Sequence, residues 1–590
     1  LSPAVRVLSP LGYLEMLGGG TLAIVHAERL DAHQQSKLAT YLKLGWFHRA
    51  YGQASVKART RVVLVAQGDE AAVTAALIPE LKAEVHGRIV SLPALASRPK
   101  DIPVLAQHFL EIHAKQEGKR FASVSREAQD ALVSYAWPGN IAELQNVIQR
   151  AVIVAGEGES LPADAIIVVP AKDEAHKVNL LRYNGLRSLL RRRWVLGGFL
   201  WINILFVGLV MVLTLLGGIL SFFRPEHSLA TFDHNFGMLV TWLVWFPVLP
   251  ISAVLLGRAW CGICPIIGVG DLASKILKFN LPVPKFLKRL EFWTVALAFL
   301  CHYYIEALLG VPDYPLATAA LLVILIGGAV ILSVAFERKA FCRYVCPLSG
   351  LLGTYATMSP VEIRGNKKVC QTQCGLHTCF KGTDRVDGCP LGSYPASIAS
   401  SFECMMCCNC VRSCENRGIQ LNLRPPLSEI WHRPQPMLAM SLFAVALIGV
   451  MAQHQFCGLN FWAGIETALG LSAFVSHTLL YTLFLLLALV PFLLSSTLSA
   501  AASQERLGRN LALYGLAFIP LAFSGHVAHV SHEFLSGGLY TLLSYFVGLY
   551  ALVVQGTPLA QTTPLAPFIP AMAVTLLKVL LVMSGLFGSA

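Results

Sequence analysis

Residues 404–414 read CMMCCNCVRSC, five cysteines in eleven positions. Cys404, Cys407, Cys410 and Cys414 form a C-x2-C-x2-C-x3-C run, the spacing of a [4Fe-4S] site. Three thiolates on such a loop grip one cubane, and the fourth commonly reaches a second. A partner set lies upstream: Cys370-x3-Cys374-x4-Cys379, then Cys389 before Pro390. Two pairings are open. In the crossed one, Cys370, Cys374, Cys379 and Cys414 share one cluster, while Cys389, Cys404, Cys407 and Cys410 share the other. In the uncrossed one each run keeps its own. Structural zinc also takes four thiolates, but usually from two short C-x2-C knuckles. Iron–sulfur chemistry, with two [4Fe-4S] clusters, is therefore the expectation, and Cys408 is left over as a packed thiol.

Two cysteine pairs precede prolines at the ends of apolar runs: Cys261 and Cys264 in GRAWCGICP, Cys342 and Cys346 in FCRYVCPLSG. They are candidate redox pairs; the alternative is plain helix-end turns closed by Pro265 and Pro347. Further along, His454, His477 and the run GHVAHVSHEF, with His526, His529 and His532, fall within or beside apolar segments. Ionisable groups there are costly and mark function. His454, His477, His526 and His529 are candidates for a b-type haem or a quinone site, or for copper with Met451 and Cys457. The alternative is polar contact between helices. His302, beside Cys301, reads as packing, and Lys578 has no evident partner.

The elements that hold these residues follow from composition. Of 590 residues 55% are hydrophobic and 14% charged, against about 25% charged in an average soluble protein. Mean hydropathy is +0.59. About nine spans are expected, at 194–222, 236–257, 291–311, 316–336, 436–457, 473–496, 511–531, 537–555 and 568–588, since a bilayer core of about 30 Å takes about 20 helical residues. The net charge of +12 gathers beside these runs. That is the positive-inside pattern, so no nucleic-acid partner is expected. Arg191 to Arg193 put the start of the first span in the cytoplasm. Alternation then places the whole 342–434 segment there too. The residues from Leu1 do not read as a signal peptide, and a fragment of a longer chain is one expectation.

LGYLEMLGGGTLAIVHAE (11–28), LPALASRPKDIPVLAQHFL (92–110) and WPGNIAELQNVIQRAVI (137–153) resemble, in order, the sigma-54-interacting AAA+ domain of bacterial enhancer-binding regulators. The resemblance covers about 10–160. It implies the C-terminal part of an α/β nucleotide-binding core and a small helical subdomain. Its chemical residues are replaced. The Walker B acids fall on Val25 and His26, the sensor asparagine on Gln67, the arginine fingers on about Ile78 and Glu84, and the second sensor arginine on Ala142. The phosphate loop is expected ahead of Leu1. With nothing to hold magnesium or polarise water, the domain is not an active ATPase, and contact with sigma-54 is not expected.

Residues 195–425 resemble the membrane-bound polyferredoxins that serve nitrous oxide reductase and periplasmic nitrate reductase, with paired cysteine–proline motifs at span ends and a cytoplasmic two-cluster module. The first pair departs from them, being C-x2-C-P where C-x3-C-P is usual. The resemblance implies electron transfer between a quinone or cytoplasmic donor and partner redox proteins, in a multi-pass protein of the bacterial inner membrane.

The expected fold is thus multidomain: a degenerate, truncated AAA+-like α/β domain (1–170), a basic linker (171–193), four transmembrane helices with the cysteine–proline motifs (194–345), a ferredoxin-like module (346–430) and five more helices with the histidines (431–590). The expected function is membrane-bound electron transfer. The alternatives are a redox-responsive regulator related to sigma-54 activators, or a metal-ion reductase.

Overall fold

A computed structural model describes residues 13–48, 55–66, 68, 70–137, 139–155, 158–166, 177–224, 231–290, 292–374, 376–431, 437–457, 460–555 and 569–589. It divides into two units, Leu1–Asp101 and Ile102–Ala590.

In the first unit, the parallel strands Thr21–Val25 and Arg61–Val65 pair from Thr21↔Arg61 to Val25↔Val65. A parallel pair needs a crossover, and the helix Ala32–Leu44 supplies most of it. Asp31 starts that helix by accepting the Gln34 N–H, with the Gln34 side chain returning to the Asp31 backbone. Leu38 and Leu81 are buried beneath. The antiparallel strands Trp46–His48 and Ser55–Lys57 lie on the crossover path.

The second unit opens with three helices, Asp101–Gln116, Arg126–Val133 and Asn140–Val154. Ser125 caps the second by accepting the Ala128 N–H. Trp137 is fully buried, its indole donating to the Leu132 carbonyl at 2.8 Å. Beyond these helices, Val178–Asn179 joins Ile419–Leu423 and Val361–Gly365 in a three-stranded antiparallel sheet. The chain leading to the first apolar helix is thereby sewn into the cysteine-rich module.

Nine helices among the described residues are long and apolar enough to cross a membrane: Arg193–Phe223, Phe236–Leu256, Ala259–Ile276, Phe292–Leu309, Pro315–Ala335, Leu438–Cys457, Ala473–Ser503, Leu507–Ala551 and Ala571–Ser589. Their membership differs from the expectation in two places. Ala259–Ile276 was not foreseen, and it starts and finishes at one end of the bundle. Gly257, just before it, abuts Val361 and Met406 of the cysteine module. Phe279 and Leu281, just after it, donate to the carbonyls of Val334 and Ala335, both at 2.9 Å. The second difference corrects the separate spans 511–531 and 537–555. The helix continues from Ile519 to Gln555 through a wide π turn at Phe534–Gly538, so His532 is helical rather than in a loop. The final helix then runs back along Ile519–Glu533. It begins near Tyr540, whose hydroxyl accepts the Ile569 N–H, and ends where Ser589 accepts the Leu521 N–H. Gly585 permits this approach, since a Cβ there would fall 1.8 Å from Ser524 Oγ.

Candidate metal centre

The fold gathers the eight module cysteines in the crossed arrangement. Cys370, Cys374, Cys379 and Cys414 line one cavity with Val369, Leu376 and Gly418. Cys370 rides on the short helix Lys367–Thr372, whose start is fixed by Asn366 accepting the Val369 N–H. Cys379 follows a left-handed turn at His377, and Thr378 Oγ1 donates to the Ser413 carbonyl, drawing Cys414 in. Cys414 Sγ accepts the Gly418 N–H at 3.2 Å. A second cavity is lined by Cys389, Cys404, Cys407, Cys408 and Cys410. Left-handed Met406 and Cys408 wind its loop tightly. Cys408 thus shares the wall of this cavity, and its thiol also faces the Met406 carbonyl.

Burial first, then Cys374 and Cys414, pushes Cys370 up to about 12. Burial likewise carries Cys404 up to about 12, with Cys407 and Cys389 adding to it. Cys379 and Cys410 are raised further by burial and by neighbouring cysteines. Sulfurs so crowded ionise only against a strong positive charge, which a metal cluster supplies. Among the described residues, no three His, Cys, Asp or Glu side chains come close enough to hold a single metal ion.

The two cysteine–proline pairs converge beside the second cavity. Cys264 and Cys346 each sit immediately before a helix whose first residue is proline, where free N–H groups point outward. The backbone N–H groups of Ile266 and Ile267 lie near Cys264 Sγ, and that of Ser349, which donates to the Cys346 carbonyl at 3.1 Å, lies near Cys346 Sγ. Cys342 and Cys346 both lie within electrostatic reach of Cys261 and Cys264. Gly262 brings the first pair against the second cavity's loop, where an added Cβ would stand 3.2 Å from Cys407 Cα. Arg258, fully buried, donates to Ser349 Oγ on one side and the Phe402 carbonyl on the other. One guanidinium thereby ties both pairs to the approach to Cys404.

A buried charge network that sequence reasoning missed holds the module together. Arg424 Nη1 bonds Glu362 Oε2 at 2.9 Å and Glu429 Oε1 at 2.7 Å, and Arg364 Nη2 bonds Glu429 Oε1 at 2.8 Å. Glu429 also accepts the Ser401 N–H, three residues before Cys404. Burial alone would raise Glu362, but Arg364, Arg424 and Lys177 outweigh it and hold its carboxyl at about 2.

The histidines are only partly brought together. The rings of His454 and His529 lie 4.3 Å apart between centres, at 64°. No porphyrin plane fits between rings in contact, so this pair does not suit the two axial positions of one haem. Gln455 Nε2 is 2.7 Å from His529 Nδ1, and Lys578 Nζ donates to the other end of that amide, giving Lys578 its partner. His526 lies one turn away, 3.3 Å from the Tyr355 hydroxyl. His477 stands apart, packed on Tyr304 and Tyr481. His302 faces Glu306 at 3.5 Å.

At the front end, Val25 is 60% exposed at the strand end, and His26, in a left-handed turn, has its Nδ1 3.1 Å from Glu28 Oε1. Ile78 precedes the helix Pro79–Val85, which carries Glu84, and Ala142 lies on the helix Asn140–Val154. Gln67 is outside the described residues.

Residues 96–176 match a family model described as an AAA+ ATPase lid domain. Residues 238–284 and 318–359 match a 4Fe-4S binding domain, and these stretches contain the two cysteine–proline pairs. The chain is 32% identical over 159 residues to the transcriptional regulatory protein XylR of Pseudomonas putida, covering 26% of this chain and 28% of that protein. It is 35% identical over 158 residues to a Nif-specific regulatory protein of Rhizobium leguminosarum bv. trifolii, covering 26% and 44%. It is 34% identical over 155 residues to the transcriptional regulator NtrC of Klebsiella pneumoniae, covering 26% and 33%. Among solved structures, NtrX from Brucella abortus in complex with ADP aligns at 25% identity over 28% of this chain and 41% of that one, with a TM-score of 0.26. The chain spans less than half the length of these curated relatives. It is therefore similar in part to bacterial transcriptional regulators and in part to 4Fe-4S binding domains, joined in one polypeptide.

Proposed function

We propose that the chain is a membrane-bound iron–sulfur protein carrying electrons between a quinone or cytoplasmic donor and a partner redox system. The observation that carries this is the convergence of three adjoining four-cysteine groups, the last drawn from the matched 4Fe-4S stretches. The first two groups would each hold a [4Fe-4S] cluster. Cys261, Cys264, Cys342 and Cys346 would form a third redox centre, next to Cys407. A cubane supplies one-electron transfer, and the chain contributes the thiolates, their N–H hydrogen bonds and the exclusion of water.

The nine apolar helices support a place in the bacterial inner membrane, and Arg338, Lys339 and Arg343 beside the cysteine module favour a cytoplasmic face for it. This is the arrangement of the polyferredoxins named above. The His454, His526 and His529 group is a candidate quinone-facing end. The AAA+-like front end is an inactive appendage. After anaerobic purification the chain should contain iron and acid-labile sulfide, with paramagnetic clusters on reduction; zinc in place of iron overturns the proposal.

A second reading is a redox-responsive regulator, favoured by the partial similarity to sigma-54 activators. Capture of sigma-54 by the purified chain, changing with cluster oxidation state, would select it; no capture would reject it.

A further inference from the structure

The last lid helix, Asn140–Val154, lies against the first cysteine group. Gln149 Oε1 is 3.0 Å from His377 Nε2, and His377 Nδ1 is 3.2 Å from the Tyr394 hydroxyl. That hydroxyl is also within hydrogen-bonding reach of Cys370 Sγ. The next lid residue, Arg150, is 5% exposed, with its guanidinium 5.6 Å from the centre of the Tyr394 ring. Cys370 is among the groups whose charge it feels. The contact is pinned nearby: Lys381 Nζ meets Glu117 Oε1, and Lys119 Nζ binds the carbonyls of Val152, Ile153 and Ala155 at the helix end.

These contacts reach the sulfur in two ways. A buried cation beside a cluster stabilises the reduced state, which carries one more negative charge, and so raises its potential. A hydrogen bond to a ligand sulfur acts in the same direction. The Tyr394 hydroxyl has one proton and two acceptors in reach, Cys370 Sγ and His377 Nδ1. With Gln149 presenting its oxygen, His377 carries its proton on Nε2 and Nδ1 takes the tyrosine proton. With the amide turned over, Nδ1–H donates to Tyr394, and the tyrosine proton is released to Cys370.

We propose that Gln149 and Arg150 make the lid a potential-setting wall of the cluster site formed by Cys370, Cys374, Cys379 and Cys414. Both are positioning residues, acting on the cluster through charge and through the Tyr394 proton. This rests on the electron-transfer reading, because it needs a cluster to tune. It also gives a lid without nucleotide chemistry a present use.

The test is a redox titration of the full-length protein, purified anaerobically in detergent, followed by EPR with iron analysis in parallel. Arg150→Met should leave iron content unchanged and lower the potential of one cluster signal. At a fixed potential the reduced-to-oxidised ratio should fall by about tenfold, or about 59 mV for a one-electron couple. The other signals should stay in place, and Arg150→Lys should restore most of the shift. Unshifted signals in Arg150→Met with full iron content overturn the proposal. If that variant loses iron, Gln149→Lys decides. A permanent donor facing His377 Nε2 moves the ring proton to Nδ1 and releases the tyrosine proton to Cys370, so the same signal must rise; no shift overturns the proposal. An unmodified protein without cluster signals refutes the electron-transfer reading itself, a separate outcome from unshifted clusters.

Discussion

Replacing Arg424 with methionine tests the charge network that braces the cysteine module. The guanidinium is 3% exposed, and its partners Glu362 and Glu429 are 1% and 4% exposed. Methionine keeps much of the volume but removes bonds to both carboxylates, to the Ser359 carbonyl at 3.0 Å and to Ser401 Oγ at 3.2 Å. Breaking a buried ion pair from one side costs about 3–5 kcal/mol, because a charge is left without its counterpart. Here Arg364 remains 2.8 Å from Glu429, and Lys177 still neutralises Glu362, so the lower end, about 3 kcal/mol, applies. That corresponds to about 150-fold in an opening equilibrium. Amide hydrogen exchange across 359–365 and 400–424 should lose protection by this factor, while the lid helices keep theirs. Adding Glu429→Gln should recover part of the loss, since it removes one stranded charge. Protection within threefold of the parent would refute the claim that the network holds the module closed.

Cys407→Ala should remove one cluster, about four iron atoms by metal analysis, whereas Cys408→Ala should leave the iron content unchanged. Glu362, held at about 2 against an ordinary 4.5, contributes stability that is complete above pH 4.5 and lost as pH falls toward 2. Acid unfolding should therefore steepen in that window and flatten in Glu362→Gln, as followed by circular dichroism. The purified chain should show no ATP turnover, and a rate abolished by substitution at His26 would contradict this. Alkaline phosphatase fused after Leu423 should be inactive, since the module is proposed to face the cytoplasm; high activity would invert that orientation.

The cysteine spacing made both cavities legible, because a three-cysteine loop leaves its fourth member, Cys414, facing the neighbouring set. The same spacing gave no reason to expect Cys408 on a cavity wall, which depends on its left-handed backbone. The Glu362–Arg424–Glu429 network left no signal, since its members are ordinary charges in a strand, a loop and a short helix that meet only after folding. Gln149 and His377 are likewise distant in sequence, so the lid's docking was invisible. Ala259–Ile276 escaped notice because Gly257 and Pro265 break its apolar run into pieces shorter than a span. Residues 532–536 read as a loop between two spans, yet a π turn at Phe534–Gly538 carries the helix through them. The histidines were grouped by periodicity, which places His526 and His529 on one face but says nothing of Gln455 and Lys578 opposite.

The cysteine–proline pairs lie on either side of the helices Phe292–Leu309 and Pro315–Ala335. A nascent chain cannot bring these four sulfurs together until both helices have been threaded and packed. Cys404 to Cys414, by contrast, emerge as one short stretch. The order in which the three groups assemble is therefore set by the path of the chain. On the proposed reading, the pair site would be completed only in a chain whose helices are already packed, so a filled pair site would report a correctly folded bundle.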